Sequence, residues 1–205
     1  MRKLVEIMKG YQIKVTLKDI FPKIWRRLQI PSNITFKEFS LILNTAMGWD
    51  SYHLSGFTIG KGRDSIFIED YPEDKEEKKA QKKDGVLNSK RVKIDEYLLG
   101  DQKITYIYDF GDSWEHEIVL EEVLEDYKNK YAQVVTYRGN CPPEDCGGSQ
   151  GYYQLMYGDG EEAEEMRQYY EIVKYNKAET NERLKNLKET EKMIEEMIRE
   201  IVNDE

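Results

Sequence analysis

The chain has 205 residues, of which 39% are apolar, 12% aromatic and 35% charged, a size and balance that suit one globular domain with a buried core and a polar surface. Its 40 acidic residues outnumber 31 basic ones, and the net charge of -9 opposes the basic footprint that phosphate-backbone binding needs, which disfavours nucleic acid as a partner. No apolar run reaches the ~18 residues that cross a bilayer, no export signal is legible at the N-terminus, and two cysteines do not make a disulfide framework; a reducing cytoplasm is the expected location.

From Tyr11 to Leu17, Tyr11, Ile13, Val15 and Leu17 alternate with polar residues, and a second run, Ile24 to Ile30, ends at Pro31, which predicts two antiparallel strands. Lys9, Lys14, Lys18, Lys23, Arg26 and Arg27 make this stretch locally basic, either as a solvated strand face or as a local basic surface. Thr35 with Glu38 three residues on is a capping box, and Ile34 with Phe39 fits a hydrophobic staple. Phe36, Phe39, Leu43, Ala46 and Met47 then mark the buried face of a helix that Gly48 stops.

His53 to Ile59 and Ser65 to Glu69 read as strands about a Gly60-Lys61-Gly62 turn. The mixed-charge run Glu73 to Asp84 lacks apolar periodicity and is expected to be a mobile loop. Ile94 to Leu99 predicts a helical turn, and Ile104 to Phe110 with the run from Trp114 to Leu120 predicts a hairpin, Trp114, His116, Ile118 and Leu120 sharing one face. Ala132 to Tyr137 adds a strand, and a helix begins near Ser149.

Glu161 to Asn176 and Glu182 to Asn203 predict two further helices. The second carries a stripe of Leu184, Leu187, Ile194, Met197, Ile198 and Ile201 that needs cover from the domain, the preceding helix or a second copy. The expected fold is α+β: a mixed, largely antiparallel sheet packed against helices, with a C-terminal helical extension. A domain over 1–158 would carry charged helices over 159–205, packed on it or used for a homodimer or another protein partner.

Two segments carry the distinctive chemistry. In Tyr108 to His116, reading YDFGDSWEH, Asp109 and Asp112 flank a tight turn beside Trp114 and His116, one of two histidines in the chain. Asp112 and His116 could share a proton or ligate a metal; equally, the aspartates could stabilise the turn while His116 sits hydrogen-bonded in the core. In Cys141 to Gly148, reading CPPEDCGG, the prolines stiffen the chain, Glu144 and Asp145 offer carboxylates, and Gly147 and Gly148 permit left-handed backbone or close approach.

The spacing of Cys141 and Cys146 is not that of a zinc knuckle, and no second cysteine pair follows, so a four-thiolate zinc site is excluded. A mixed zinc site of Cys141, Cys146, His53 and His116 would use every cysteine and histidine in the chain. The alternatives are small thiols buried against the hairpin or a disulfide between them. Tyr152, Tyr153 and Tyr157 follow the loop, and Tyr152 is the tyrosine placed at the mouth of a pocket with Asp109, Asp112, Trp114, His116, Glu144, Asp145, Gly147 and Gly148. No P-loop, G-x-S-x-G elbow or H-E-x-x-H pattern occurs.

Ile24-Trp25-Arg26 with Ile30-Pro31, Ala46-Met47-Gly48-Trp49 with His53-Leu54, YDFGDSWEH, and Pro142 to Gly148 with Gly151-Tyr152 together resemble the plasmid pRiA4b ORF-3-like family, often labelled insertion-element passenger proteins of TnpR type. The motifs cover Tyr11 to Tyr157, beyond which charged helices replace the Trp/Gly-rich and Asp-Pro-rich segment of the family. The resemblance implies an α+β fold and no settled activity; the TnpR label implies recombination, for which no resolvase arrangement or basic helix-turn-helix is legible. Three readings follow as expectations: a non-enzymatic binding domain with a groove between hairpin and cysteine loop, a metal-dependent hydrolase or nuclease, or motifs that serve folding alone with function in a dimer surface made by the C-terminal helices. The second would hold a divalent ion on His53, Asp112 and His116 and use Glu144 or Asp145 for proton transfer.

Overall fold

The structure, a computed structural model, describes residues 8–72, 74–100, 102–189 and 192. Alternation in Met8–Leu17 (β1) and Trp25–Pro31 (β2) sends Tyr11, Ile13, Val15, Leu17, Leu28 and Ile30 into the core, and the strands pair antiparallel from Gly10 opposite Pro31 to Thr16 opposite Trp25. Helix Phe36–Met47 (α1) starts on its capping box: Thr35 Oγ1 accepts the Glu38 N–H at 3.1 Å and Glu38 Oε2 accepts the Thr35 N–H at 2.7 Å. All of α1 except Lys37 and Glu38 is buried, which requires cover on both sides.

Ser55–Ile59 (β3) and Ile66–Glu69 (β4) pair antiparallel, so His53 stands in the loop before β3 rather than in a strand. Leu87–Asn88 (β5) joins β4 in parallel, and this pair makes the sheet mixed. Ile104–Tyr108 (β6) and Trp114–Tyr127 (β7) form the central hairpin, and Gln133–Arg138 (β8) lies beside β2. The strand order is β5-β4-β3-β6-β7-β1-β2-β8, an α+β architecture in which every other pairing is antiparallel.

Three segments depart from expectation. The run expected to be a mobile loop holds a helix, Lys75–Lys83 (α2). Asp74 Oδ1 caps it by accepting the N–H groups of Glu76 and Glu77, each at 2.9 Å, with acids in the first turn and Lys82 and Lys83 in the last. None of its residues is buried, so capping and charge placement specify it, and a search for apolar periodicity passes over it.

After Gly148–Tyr157 (α3), the helix expected over Glu161 to Asn176 stops at Tyr169 (α4, Glu161–Tyr169). The chain then leaves helical conformation because Tyr175 enters the interior, where its hydroxyl donates to Ala46 O at 3.0 Å and its ring centroid lies 3.8 Å from the Arg26 guanidinium carbon.

Asn176 caps Lys177–Lys185 (α5), which starts well before Glu182 and packs on α1 and β8. Leu184 joins the core with Leu187 against it, while Ile194, Met197, Ile198 and Ile201 lie outside the described residues. Asn181 also pairs with the edge of β8, accepting the Val134 N–H at 2.7 Å and donating to Val134 O at 3.2 Å.

Candidate functional site

The β6–β7 turn is built around Asp109, which adopts φ 56° and accepts the Gly111 N–H on Oδ1 at 2.9 Å while its own N–H donates to Leu54 O at 2.9 Å. Oδ1 thus holds the turn, and Oδ2 faces His53 Nε2 at 3.7 Å. The same turn docks on the cysteine loop: Asp112 Oδ2 accepts the Gly147 N–H at 3.1 Å. Gly148 has φ 65°, and a Cβ there would lie 2.4 Å from Asp112 O, so the close approach of the two segments needs glycine.

The loop turns its carboxylates toward His53. Asp145, in left-handed backbone at φ 55°, puts Oδ1 3.0 Å from His53 Nε2, and its Oδ2 accepts the Tyr52 hydroxyl at 3.2 Å. The Asp145 carbonyl accepts the Tyr170 hydroxyl at 2.5 Å, which ties the segment after α4 to the site. Although Asp145 approaches at 3.0 Å, the buried His53 Nε2 makes no aligned hydrogen bond to either carboxylate.

His53 Nε2 and oxygens of Asp109 and Asp145 lie within 4.8 Å of one another, the one such group of three or more potential metal ligands among the described residues. Imidazole with two carboxylates is a donor set for Zn, Mn, Fe or Ni rather than for soft thiophilic ions.

Glu144 borders this cluster. Its Oε1 accepts the Asp50 N–H at 2.9 Å and the Tyr108 hydroxyl at 3.0 Å, while buried Oε2 has no hydrogen-bond partner among the described residues. Burial, more than any neighbour, pushes this carboxyl up to about 7. It raises the Tyr108 and Tyr52 phenols in turn, after burial. Glu144 also lines a cavity of about 300 Å³ with Trp49, Cys141, Pro142 and Tyr175.

Of the residues singled out in the sequence, His53, Asp109 and Asp145 converge, with Glu144 beside them. His116 does not join them. It is fully buried, edge-on to Trp49 at 5.3 Å between centroids and against Tyr106 at 5.5 Å, with Nδ1 3.4 Å from Tyr106 O. Burial lowers its pKa to about 4, so it is neutral at pH 7.

Asp112 serves Gly147, Trp114 packs on Trp49 at 5.8 Å, and Tyr152 is buried beside Tyr153. Cys141 and Cys146 are free thiols, Cys146 pushed up to about 12 and Cys141 well above its usual value by burial, so both stay protonated. Neither the Cys141–Cys146–His53–His116 set nor the His53–Asp112–His116 set is brought together; in each, His53 alone belongs to the ligand cluster. Alternation along β7 already places His116 inward, whereas the approach of Asp145 to His53 depends on a loop contact across 92 residues that no local pattern announces.

Asp50, Tyr52 and Tyr170 are the contributors that motif reading missed. Tyr52 sits beside His53 in sequence, its ring 4.5 Å from the imidazole, and that adjacency was the available signal.

In the basic stretch near the N-terminus two cations are ion-paired and one is buried. Lys18 pairs with Glu115 at 2.7 Å, and Arg27 holds Glu121 through Nε at 2.6 Å and Nη2 at 2.9 Å. Arg26 is wholly buried and donates to the carbonyls of Ala46, Met47, Trp25, Arg138 and Gly139, stapling the C-terminal end of α1 to β2 and β8.

The chain matches the plasmid pRiA4b ORF-3-like protein family over residues 9–184. It is 30% identical over 146 residues to a Sinorhizobium fredii protein named uncharacterized protein y4hQ, with 70% of each chain covered. In three dimensions it is similar to MM3350 of Methanosarcina mazei Go1, whose crystal structure is described as that of a protein of unknown function; the TM-score is 0.71 at 25% identity, over 84% of this chain and 97% of that one. The family match continues past Tyr157, where the motif resemblance ends, through α4 and as far as Leu184 in α5, so these charged helices are within the family's span. With both the motifs and the fold in agreement, the chain belongs to the plasmid pRiA4b ORF-3-like family.

Proposed function

We propose that this protein is a binding domain whose ligand is a divalent transition-metal cation held by His53, Asp109 and Asp145. The observation that carries the reading is the convergence of these three ligand atoms within 4.8 Å from three separate segments. The turn bond to Oδ1 of Asp109 and the Tyr52 bond to Oδ2 of Asp145 fix both carboxylates and leave the oxygens nearer His53 for the ion, the supporting arrangement typical around metal ligands. Titration of chelator-stripped protein with Zn²⁺ and Mn²⁺ by calorimetry should give one site, weakened about tenfold or more by His53→Ala or Asp145→Asn and unchanged by His116→Phe. Absence of a stoichiometric site, or a site indifferent to His53, overturns the proposal.

A metal-dependent hydrolase is the second reading, and Glu144 is what favours it. A carboxyl near 7 with an unpartnered oxygen, at a cavity wall beside the cation cluster, suits proton transfer to or from a metal-activated water at neutral pH. Metal-loaded protein assayed against phosphate and carboxylate esters decides between the two: turnover abolished by Glu144→Gln with metal binding intact makes it an enzyme, and no turnover leaves the binding domain.

A further inference from the structure

β7 has 14 residues and β6 only 5, and β6 pairs with β7 from Trp114 to Ile118 and no further. On the other side β1 continues along β7 to Tyr127. From Val119 to Tyr127, β7 therefore has a strand neighbour on one side alone among the described residues. Such an edge presents a row of unpaired backbone N–H and C=O groups, on which an extended peptide can add one more strand. Where β6 stops, the edge opens on a groove of about 640 Å³ whose lining includes Lys61, Gln102, Lys103, Glu117, Val119 and Val123.

The side chains of this edge narrow the choice of occupant. Val119 and Val123 are 47% and 39% exposed, short branched residues suited to pairing with another strand. Around them stand Glu117, Glu121, Glu122, Glu125 and Asp126, with no Lys or Arg within β7. Arg27 holds Glu121 and Lys128 lies 3.5 Å from Asp126, while Glu117, Glu122 and Glu125 have no ion pair among the described residues. A second copy pairing through the same edge would set carboxylates against carboxylates, which destabilises cross-strand pairs. A basic strand instead meets the three carboxylates without an ion pair, Glu117, Glu122 and Glu125, which outnumber the two lysines, Lys61 and Lys103, that line the groove.

We propose that the β7 edge from Val119 to Tyr127 is a docking site for an extended, basic peptide segment of a protein partner, added as a further strand with Lys or Arg beside Glu117, Glu122 and Glu125. The surface is separate from the His53 cluster and does not depend on a bound metal.

The test is an anisotropy titration with a fluorescein-labelled ten-residue peptide that alternates lysine and valine, repeated with the same peptide methylated on every backbone nitrogen. Saturable one-to-one binding is expected for the first peptide and loss of binding for the second, whose charge is unchanged. The double variant Glu122→Lys, Glu125→Lys should weaken binding about tenfold, and the control Glu162→Lys on α4 should not. Equal binding of both peptides, no saturable binding, or an unchanged dissociation constant in the double variant overturns the proposal. So does self-association of the protein alone, in sedimentation velocity, that the double variant abolishes, since a second copy would then be the occupant. If the double variant does not fold, the comparison of the two peptides decides alone.

Discussion

Half-buried Glu144 and fully buried His116 should give this protein opposed pH dependences of stability that a single substitution separates. Glu144 titrates near 7 in the fold against an ordinary value of 4.5, so between these pH values the folded state binds the extra proton and stability falls as pH rises. At about 1.4 kcal/mol per pH unit the full displacement sets an upper bound of about 3 kcal/mol against the fold above pH 7, reduced by the solvent screening a half-buried carboxylate keeps. His116 is displaced the other way, from 6.5 to about 4, so over that window the unfolded state binds the proton and stability rises with pH by a similar amount. The two slopes largely cancel between pH 4.5 and 6.5.

Glu144→Gln keeps an oxygen for the Asp50 N–H and the Tyr108 hydroxyl and removes the ionisable group. It should raise stability at pH 8 by about 1–3 kcal/mol, the lower figure applying where the new amide lacks an acceptor. Below pH 6.5 it should expose the rising slope that His116 produces. Urea denaturation of chelator-treated wild type and variant from pH 4 to pH 8, with free energies extrapolated at each pH, measures both effects. A variant less stable than wild type at pH 8, or one with an unchanged profile below pH 6.5, would refute the reasoning.

Other substitutions test the framework around the site. Arg26→Met should lower stability by about 3–5 kcal/mol in urea denaturation, because five carbonyls and the faces of Tyr137 and Tyr175 lose a buried cation. Gly148→Ala places a methyl 2.4 Å from Asp112 O in left-handed backbone; it should cost about 1–3 kcal/mol, and it should also weaken metal binding by shifting Asp145. Asp74→Ala removes the cap of α2 at about 1 kcal/mol of local stability; because α2 buries nothing, the loss should appear as faster amide exchange over 75–83 with little change in global unfolding.

The first strand was legible because alternation marks Tyr11 to Leu17, and α1, though buried almost all round, because the Thr35–Glu38 box marks its start. Helix α2 escaped because its signals are a cap and a charge gradient, and the end of α4 was missed because burial of Tyr175 on Arg26 overrides local helical preference. At the site, both motifs were visible as chemistry, and the pocket set included Asp109, Glu144 and Asp145. Their grouping was not visible. Asp109 and Asp112 look equivalent in YDFGDSWEH, yet left-handed backbone at Asp109 turns one toward His53, and the Gly147 N–H takes the other. That division of labour arises when the hairpin turn docks on the loop, and it has no counterpart in residue spacing.

The central claim is that His53, Asp109 and Asp145 hold one divalent ion. Anomalous diffraction at the zinc edge, from crystals of the protein loaded with one equivalent of Zn²⁺, tests it most directly. The expected result is a single peak at ~2.0–2.2 Å from His53 Nε2 and from one oxygen each of Asp109 and Asp145. A peak at Cys141, Cys146 or His116 instead, or no peak near His53, would contradict it.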